Sequence, residues 1–225
     1  MQSNKWSFSG NLASNFEDHI KRSIPFYEEG HELILNLADF FLRENSLCFD
    51  LGVSNGTLIT KLANKFSNNQ FIGLDKEPDM LKIAAEKTQN HANVKLEVAD
   101  ITEYKYPKCD LIISYYTVQF LKPILRQSFI KQIFKILNPG GALILFEKVY
   151  SETPKLQEYF SVLLDEFKLA QGFSGNEIIA KSQSLKGILE PNTTAQNLTL
   201  LKKAGFKDAG LIFKYLSFEG YLAIK

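Results

Sequence analysis

Residue types that often carry chemistry are scarce in this chain of 225 residues, which has two cysteines, three histidines and one tryptophan. Two cysteines make no disulfide framework, and Cys48 and Cys109 do not have metal-ligand spacing. We therefore expect reduced thiols, no metal site and a cytoplasmic location. The chain also lacks a long apolar run of the length that crosses a bilayer, and its start, MQSNKWSFSGNL, is unlike a signal peptide. Neither a membrane span nor secretion is expected.

A large charge of one sign is missing too, because 26 Lys and Arg residues face 25 Asp and Glu residues, a formal net charge of +1. Balanced charge provides no general attraction for a phosphate backbone, so direct nucleic-acid binding is disfavoured. The basic pair Lys202-Lys203 is interpreted as a solvated helix face. An apolar fraction of 45% and a charged fraction of 23% are typical of a globular protein with one domain and a small lid.

The most informative stretch is residues 46–56, SLCFDLGVSNG. Leu47 to Leu51 predicts a short buried strand, the glycines at 52 and 56 predict a tight loop, and TLITKLANKF then begins a helix at once. This order of strand, glycine loop and helix opens nucleotide-binding βαβ units, in which loop amides and the helix N-terminus face the ligand. An ordinary strand-to-helix turn is the alternative.

A second predicted strand, QFIGLD, ends in Asp75, 19 residues after Gly56. An acid at about 20 residues from such a loop is suited to hydrogen-bonding ribose hydroxyls. The loop is not a P-loop, because no Gly-Lys-Ser/Thr follows it, and Ser54 stands where a dinucleotide motif has its middle glycine. Asp50, directly before the loop, suits a cationic ligand better than a pyrophosphate.

The pattern D-x-G-x-x-x-G from Asp50 to Gly56 resembles motif I of the class I S-adenosylmethionine-dependent methyltransferases, and LNPGG at 137–141 resembles their post-motif. The resemblance implies an α/β fold with a doubly wound, mostly parallel seven-stranded sheet, an N-terminal helical lid and S-adenosylmethionine as cofactor. We predict a helical arm over 1–43 and a Rossmann-like domain over 44–225 that carries a lid insertion at about 150–192.

Two further strand ends fit this resemblance. Asp100 and Ile101 follow the strand VKLEV, at the place where the superfamily contacts adenine, although Asp100 could instead cap a turn. Tyr115 and Tyr116 follow the strand CDLIIS, and their aromatic faces would favour a positively charged sulfonium, or would pack under the lid. One tyrosine is expected in each role.

Two helical segments at the edges of this domain have apolar faces. The segment 28–43 carries its apolar residues on one side, and His31 lies off that side, so His31 is expected to be exposed. The segment 154–170 is expected to bury its apolar face against its own sheet or against a partner in a homodimer. The aromatic arm with Trp6 and Phe8 would fold over the cleft or pack on the core.

Nearly the whole chain resembles one branch of the superfamily, the carboxy-S-adenosylmethionine synthases, through WSF, KRSIPFY, DLGVSNG, TVQFL, LNPGGALILFEK, DEFKLAQGFS and LLKKAGF. The resemblance implies carboxylation of the sulfonium methyl group with prephenate, for a tRNA wobble uridine modification. It also implies cofactor contacts at Tyr27, Gly52, Val53, Ser54, Asp75, Lys76, Asp100 and Ile101, to which we add Gly56 of the loop and Tyr115.

The chain departs from this branch at two positions. Tyr115 stands in place of an Asn, and Lys181-Ser182 stands in place of a Lys-Arg pair. An arginine grips a carboxylate with two parallel hydrogen bonds, whereas Lys181 offers a point charge and Ser182 none. Lys181 and Ser182 are therefore the candidates for contact with a carboxylate or substrate.

Three functions follow from this reasoning. The first is a methyltransferase acting on a small molecule, the second is the carboxy-S-adenosylmethionine synthase itself, and the third is a non-catalytic partner protein that binds S-adenosylmethionine. The residues favour the first over the second, because of Ser182. Candidate bases are His19, Tyr116 and Glu147, none of which has a recognisable catalytic constellation around it.

Overall fold

The computed structural model describes residues 16–225, so Trp6 and Phe8 of the predicted arm lie outside the described range. Its helices are α1 (Phe16–Ser23), α2 (Tyr27–Ala38), α3 (Thr57–Lys65), α4 (Pro78–Thr88), α5 (Pro123–Ile136), α6 (Pro154–Ala170), α7 (Gly175–Ser184) and α8 (Thr194–Ala204). Its strands are β1 (Leu47–Leu51), β2 (Gln70–Asp75), β3 (Val94–Val98), β4 (Cys109–Tyr115), β5 (Leu137–Lys148), β6 (Asp208–Tyr215) and β7 (Phe218–Ile224). Within residues 16–225, none of the helices is both long and apolar enough to cross a membrane.

The seven strands form a single sheet in the order β3-β2-β1-β4-β5-β7-β6. The first five strands in this order pair in parallel, whereas β7 inserts antiparallel between β5 and β6. The order reverses direction at β1 and β4, where an open α/β sheet has its ligand crevice. The predicted seven-stranded, mostly parallel sheet is thus confirmed.

Helices cover the sheet on both sides and leave the carboxyl ends of the parallel strands free to hold a site. Helices α2, α3 and α4 pack on one face, with Ile34, Ile59 and Ala84 fully buried among strand residues such as Ile113. Helices α5 and α8 pack on the other face. Strands that are covered on both faces of the sheet consist largely of apolar residues. For this reason Leu111, Ile112 and Ile113 of β4 follow one another without the alternating polar residues of a half-exposed strand.

The helices α1 and α2 reach the carboxyl end of the sheet, where residues from both line a cavity. Glu17 fastens α1 there, because its carboxylate accepts hydrogen bonds from Thr57 Oγ1 at 2.9 Å and from Lys87 Nζ at 2.6 Å. Burial opposes the charge of Glu17, but the bonds from Lys87 and Lys21 lower its pKa to about 2. The first described helix is therefore tied directly to the start of α3.

The expectation that His31 is exposed was wrong. His31 is buried, with 2% of its surface exposed, because it shares the inner face of α2 with Ile34, Leu35 and Ala38 at i+3, i+4 and i+7. Helix α6 buries only Leu164 of its apolar residues within this chain, so burial of its apolar face against a partner stays a prediction. Five other apolar residues on it are at least 46% exposed: Leu156, Tyr159, Val162, Leu163 and Leu169.

Candidate active site

The loop after β1 is shaped for close approach of a ligand to the backbone. Gly52 has φ of +74°, and a Cβ atom built there would lie 2.3 Å from Thr117 Oγ1, so any larger residue would both strain the turn and collide. The next residues turn toward β2, where Ser54 N donates a hydrogen bond to Asp75 Oδ2 at 2.9 Å. The loop and the end of β2 therefore form a single rigid wall.

Two carboxylates sit in this wall. The second oxygen of Asp75 accepts from Glu77 N at 3.0 Å, yet burial raises the pKa of Asp75. Asp50 is more deeply buried, and its Oδ2 has no hydrogen-bond partner within the described residues. Burial, with the charge of Asp75 adding to it, raises the pKa of Asp50 to about 7. A buried, unpartnered carboxylate beside a second one calls for a cationic partner.

A cavity of about 860 Å³ opens from this wall along the carboxyl ends of the parallel strands. Twelve of the fifteen predicted cofactor, substrate and catalytic residues line it: Tyr27, Gly52, Val53, Ser54, Asp75, Lys76, Asp100, Ile101, Tyr115, Tyr116, Lys181 and Ser182. They come from α2, from the ends of β1, β2, β3 and β4, and from α7. The tertiary structure therefore gathers them into one space.

Three predicted residues lie outside this lining. Gly56 has φ of +77° and packs against α4, where an added Cβ would be 2.9 Å from Ala84 Cα. Glu147 is buried behind the cavity, where burial raises its pKa well above the usual value although Arg126 is nearby. His19 is placed behind Lys181, whose Nζ lies 2.8 Å from its Nε2. Burial and the charge of Lys181 lower the pKa of His19 to about 4.

The end of β3 supplies an acid and an apolar side chain, as expected. Asp100 Oδ1 accepts from Thr102 N at 2.8 Å and from Thr102 Oγ1 at 2.6 Å, so the carboxylate caps the turn and still lines the cavity. Ile101 is buried beside it. These bonds from Thr102 lower the pKa of Asp100.

Three tyrosines meet between the ends of α2 and β4. The ring centroid of Tyr115 is 5.1 Å from that of Tyr27 and 4.6 Å from that of Tyr116. The Tyr115 hydroxyl donates to the Tyr27 carbonyl oxygen at 2.7 Å and occupies the space over Gly30, where a Cβ would be only 2.2 Å away. Tyr115 therefore joins helix α2 to the sheet while also lining the cavity.

The far end of the cavity is lined by lysines. Lys181 Nζ donates to Ser23 Oγ at 2.9 Å in addition to its contact with His19, which links α7 to α1. Burial and the positive charges of Lys168 and Lys148 lower the pKa of Lys181 to about 7. The cavity therefore has an acidic end at β1 and β2 and a basic end at β5, α6 and α7.

The lining residues that sequence reasoning missed include His31, Lys148 and Lys168. The spacing of His31 to the apolar residues 34, 35 and 38 was the signal that places it inside. Lys148 ends β5, and the rule that ligands bind beyond the carboxyl ends of parallel strands would have pointed to it.

Comparison with known proteins agrees with this geometry. Residues 49–141 match the methyltransferase domain family. An O-methyltransferase family protein of Burkholderia thailandensis has a similar fold, with a TM-score of 0.68 and 15% identity over 95% of this chain and 59% of that one. Human N-acetylserotonin methyltransferase, solved with S-adenosylmethionine, gives a TM-score of 0.60 at 17% identity over 98% of this chain and 60% of that one.

Fold and site together define a class I S-adenosylmethionine-dependent methyltransferase-type enzyme, which uses S-adenosylmethionine or its carboxylated form. A carboxy-S-adenosyl-L-methionine synthase of Staphylococcus epidermidis is 36% identical over 223 residues, covering 98% of this chain and 97% of the relative. A synthase of Campylobacter jejuni is 36% identical over 222 residues, covering 98% and 94%. The chain belongs to the carboxy-S-adenosyl-L-methionine synthase family.

The residues present fit S-adenosylmethionine. The unpartnered carboxylate of Asp50 is chemically matched to an ammonium group, and Asp75 has the capacity to accept further hydrogen bonds from hydroxyls. The tyrosine faces at the end of β4 are suited to a sulfonium. When bound, this group supplies an activated methyl carbon next to a positively charged sulfur.

Proposed function

We propose that the protein makes carboxy-S-adenosylmethionine from S-adenosylmethionine and prephenate. In net terms, prephenate loses its ring carboxylate as carbon dioxide and its ring hydroxyl group as hydroxide, and becomes phenylpyruvate. The hydroxide takes one proton of the sulfonium methyl group and leaves as water, while the methyl carbon forms a C–C bond to the carbon dioxide. The support is the similarity to synthases over 98% of the chain. This reverses the order of preference that Ser182 suggested from the sequence.

The single observation that carries the proposal is the basic end of the cavity. Ser182 lines the cavity and brings no charge, but Lys181 next to it and Lys148 and Lys168 opposite it bring three ammonium groups. A carboxylate donor and a carboxylated product both need positive charge in a partly dry site. Several point charges from lysines replace the bidentate grip of the missing arginine.

The acidic end receives S-adenosylmethionine in this proposal. Asp75 takes the ribose hydroxyls, Asp100 and Ile101 contact adenine, and the loop over Gly52 to Ser54 lies against the amino acid part. Tyr27 and Tyr115 face the sulfonium. Lys76 stays exposed at the edge, and Gly56 serves by allowing α3 to pack on α4. In this arrangement the enzyme acts mostly through positioning and exclusion of water.

None of the candidate bases is required by this reaction as written. Tyr116 is the one that lines the cavity, and burial raises its pKa well above the usual value, so its hydroxyl stays protonated. His19 stays neutral beside Lys181 at neutral pH. Positioning of Lys181 is the role that the geometry supports for His19.

A methyltransferase of an anionic small molecule is the second candidate. The observation that favours it is Ser182, because the serine takes away the arginine that the synthase branch uses for its carboxylate. In that case the basic end would bind an acidic methyl acceptor, and S-adenosylhomocysteine would be the product.

Mass spectrometry of the purified protein's reaction separates the two. Incubation with S-adenosylmethionine and prephenate labelled with ¹³C in its carboxyl groups should give a nucleoside heavier than S-adenosylmethionine by one labelled carbon dioxide. Asp75→Ala should abolish the product, and Asp79→Ala, an exposed acid on α4, should not. S-adenosylmethionine recovered unchanged in the presence of prephenate would contradict the synthase and direct the search to a methyl acceptor.

The proposal also covers location and assembly. A cytoplasmic location is supported by two free, buried cysteines, Cys48 and Cys109, and by bacterial relatives. A homodimer through the exposed apolar face of α6 stays a prediction, which sedimentation of Val162→Glu against the parent protein would test. The arm over 1–43 and the insertion at about 150–192 are proposed to act as two lids over the cavity.

A further inference from the structure

One partly buried lysine that lines the cavity, Lys148, has no ion-pair partner among the described residues. Lys148 is the last residue of β5, where its backbone N–H donates to Gln119 Oε1 at 2.7 Å, while its side chain lines the cavity. Within the described residues its ammonium group has no hydrogen-bond or ion-pair partner. Burial, with the charge of Lys168 adding to it, lowers the pKa of Lys148 to about 8. Partial removal of an ammonium group from water is costly, and binding of an anion offsets that cost.

The same end holds two further lysines that are already anchored. The side chain of Lys168 on α6 is only 17% exposed, and its Nζ forms an ion pair with Oδ1 of the exposed Asp165 at 3.0 Å. Lys181 of α7 is held by His19 and Ser23. The charge of Lys168 lowers the pKa of both Lys148 and Lys181, so the three ammonium groups act on one another across the same space. Asp165 is the acid whose charge offsets part of this repulsion at Lys148.

Apolar side chains complete the walls between these lysines. Leu164 of α6, Ile178 of α7 and Phe218 of β7 are buried and line the cavity there. A ligand that fills this end must therefore combine an apolar body with negative charge at more than one place. A single carboxylate would neutralise Lys181 and leave Lys148 uncompensated.

We propose that Lys148, with Lys168 beside it, binds a second anionic group of the co-substrate, so that the site selects acids with two negative charges on an apolar body. This rests on the proposed function only in assigning the co-substrate to this cavity. Lys181 receives the group near the sulfonium end, and Lys148 receives the other. Lys148 is thereby a specificity-determining residue rather than a structural one.

Equilibrium binding tests the assignment without any turnover. The protein is loaded with S-adenosylhomocysteine, which has no transferable methyl group, and titrated by calorimetry with phenylmalonate and with phenylacetate. These two acids share a ring and differ by one carboxylate. The parent protein should prefer phenylmalonate by about ten-fold or more. Lys148→Met should erase this preference, Lys148→Arg should keep most of it, and Lys155→Met, an exposed lysine on α6, should leave it unchanged.

An unchanged preference in Lys148→Met would overturn the proposal. Binding of S-adenosylhomocysteine by the variant serves as the check that it is folded. If that check fails, the pH dependence of the parent protein decides, with Lys168 and Asp165 on α6 and Lys181 on α7 as the charged groups facing Lys148. Affinity for phenylmalonate should fall as pH rises through about 7 and about 8, and a flat profile there would overturn it.

The outcomes also separate this proposal from the proposed function. If binding of phenylmalonate depends on Lys148 but no carboxylated product forms, the Lys148 subsite is supported and the synthase activity is contradicted. Formation of carboxy-S-adenosylmethionine by Lys148→Met with an unchanged KM for prephenate would do the opposite. If Lys148→Met loses both the preference for phenylmalonate and product formation, its affinity for S-adenosylhomocysteine shows whether the nucleoside end of the site is damaged.

Discussion

The two ends of the cavity hold their charges in different ways. At the acidic end, the backbone amides of Ser54 and Glu77 donate hydrogen bonds to Asp75. Ser54 lies in the loop after β1, and Glu77 lies in the loop after β2, which Asp75 ends. At the basic end, Lys148 and Lys181 come from a strand and from a helix more than 30 residues later. The first arrangement is a local property of the backbone, whereas the second depends on how α6 and α7 pack against the end of β5.

This difference separates what the superfamily shares from what this chain adds. The acidic end is built from strand ends and tight turns, which tolerate few substitutions because the backbone itself forms the wall. The basic end is built from long side chains on β5, α6 and α7, and the fold accommodates a serine at position 182, where the synthase branch has an arginine. Binding of the nucleoside is therefore expected to be more sensitive to mutation than selection of the co-substrate.

The strongest effect is expected at Asp75. Asp75→Ala removes the acceptor of two backbone N–H groups and the proposed ribose contact, so affinity for S-adenosylmethionine should fall about 100-fold or more, about 3 kcal/mol. Calorimetry measures the affinity and far-ultraviolet circular dichroism checks the fold. Asp79→Ala is the matched control. Parent-like affinity in the Asp75 variant would show that the acidic end does not hold the ribose.

The buried carboxyl group of Asp50 is expected to lower the free energy of unfolding when it is ionised without a cationic ligand. Its pKa is about 7 in the folded protein and ordinarily 3.8, so the folded state holds a proton that the unfolded state has released between these values. Stability due to this group therefore falls as pH rises through that window and stays low above it.

Asp50→Asn removes this dependence, and the variant should be more stable than the parent at about pH 8, by on the order of 2 kcal/mol. It should also bind S-adenosylmethionine more weakly, because the ammonium group loses its carboxylate. Urea denaturation at several pH values measures the first effect. Asp79→Asn, on an exposed site, should change neither. A parent-like pH profile for Asp50→Asn would contradict the shifted pKa.

Ser182→Arg tests whether an arginine at position 182 strengthens binding of the carboxylated cofactor at the basic end. A guanidinium at this position would pair with the added carboxylate, so the ratio of affinities for carboxy-S-adenosylmethionine and S-adenosylmethionine should rise about ten-fold. Gln183→Arg, on the neighbouring exposed residue, is the control for added charge. An unchanged ratio would mean that the lysines already satisfy the carboxylate, and the argument from Ser182 against the synthase would lapse.

The smallest effect is expected at Tyr115, where the two ends meet. Tyr115→Phe removes the hydrogen bond to the Tyr27 carbonyl oxygen and keeps the ring, so the free energy of unfolding should fall by about 1 kcal/mol. Tyr159→Phe, on the exposed side of α6, should be neutral. A Tyr115→Phe variant as stable as the parent would show that this bond does not hold α2 in place.

Much of the acidic end was predictable because it is local in sequence. The glycines of the loop and the spacing of Asp75 each report a backbone requirement within a few residues. Asp100 illustrates the limit, since the sequence left two roles open and the structure has it capping a turn and lining the cavity as well. His31 was predicted to be exposed because the sequence interpretation placed the buried face of α2 slightly too far around the helix. The apolar residues at i+3 and i+4, Ile34 and Leu35, already indicated that His31 shares their face.

The sequence by itself determined the class of fold, the order of strands and loops and the acids at the strand ends, because periodicity, glycine and spacing act over short stretches. The convergence of Lys148, Lys168 and Lys181 was decided only in the tertiary structure, where the end of β5 meets the helices α6 and α7. Burial and mutual repulsion of these lysines arise from packing between distant segments, and no local pattern encodes them.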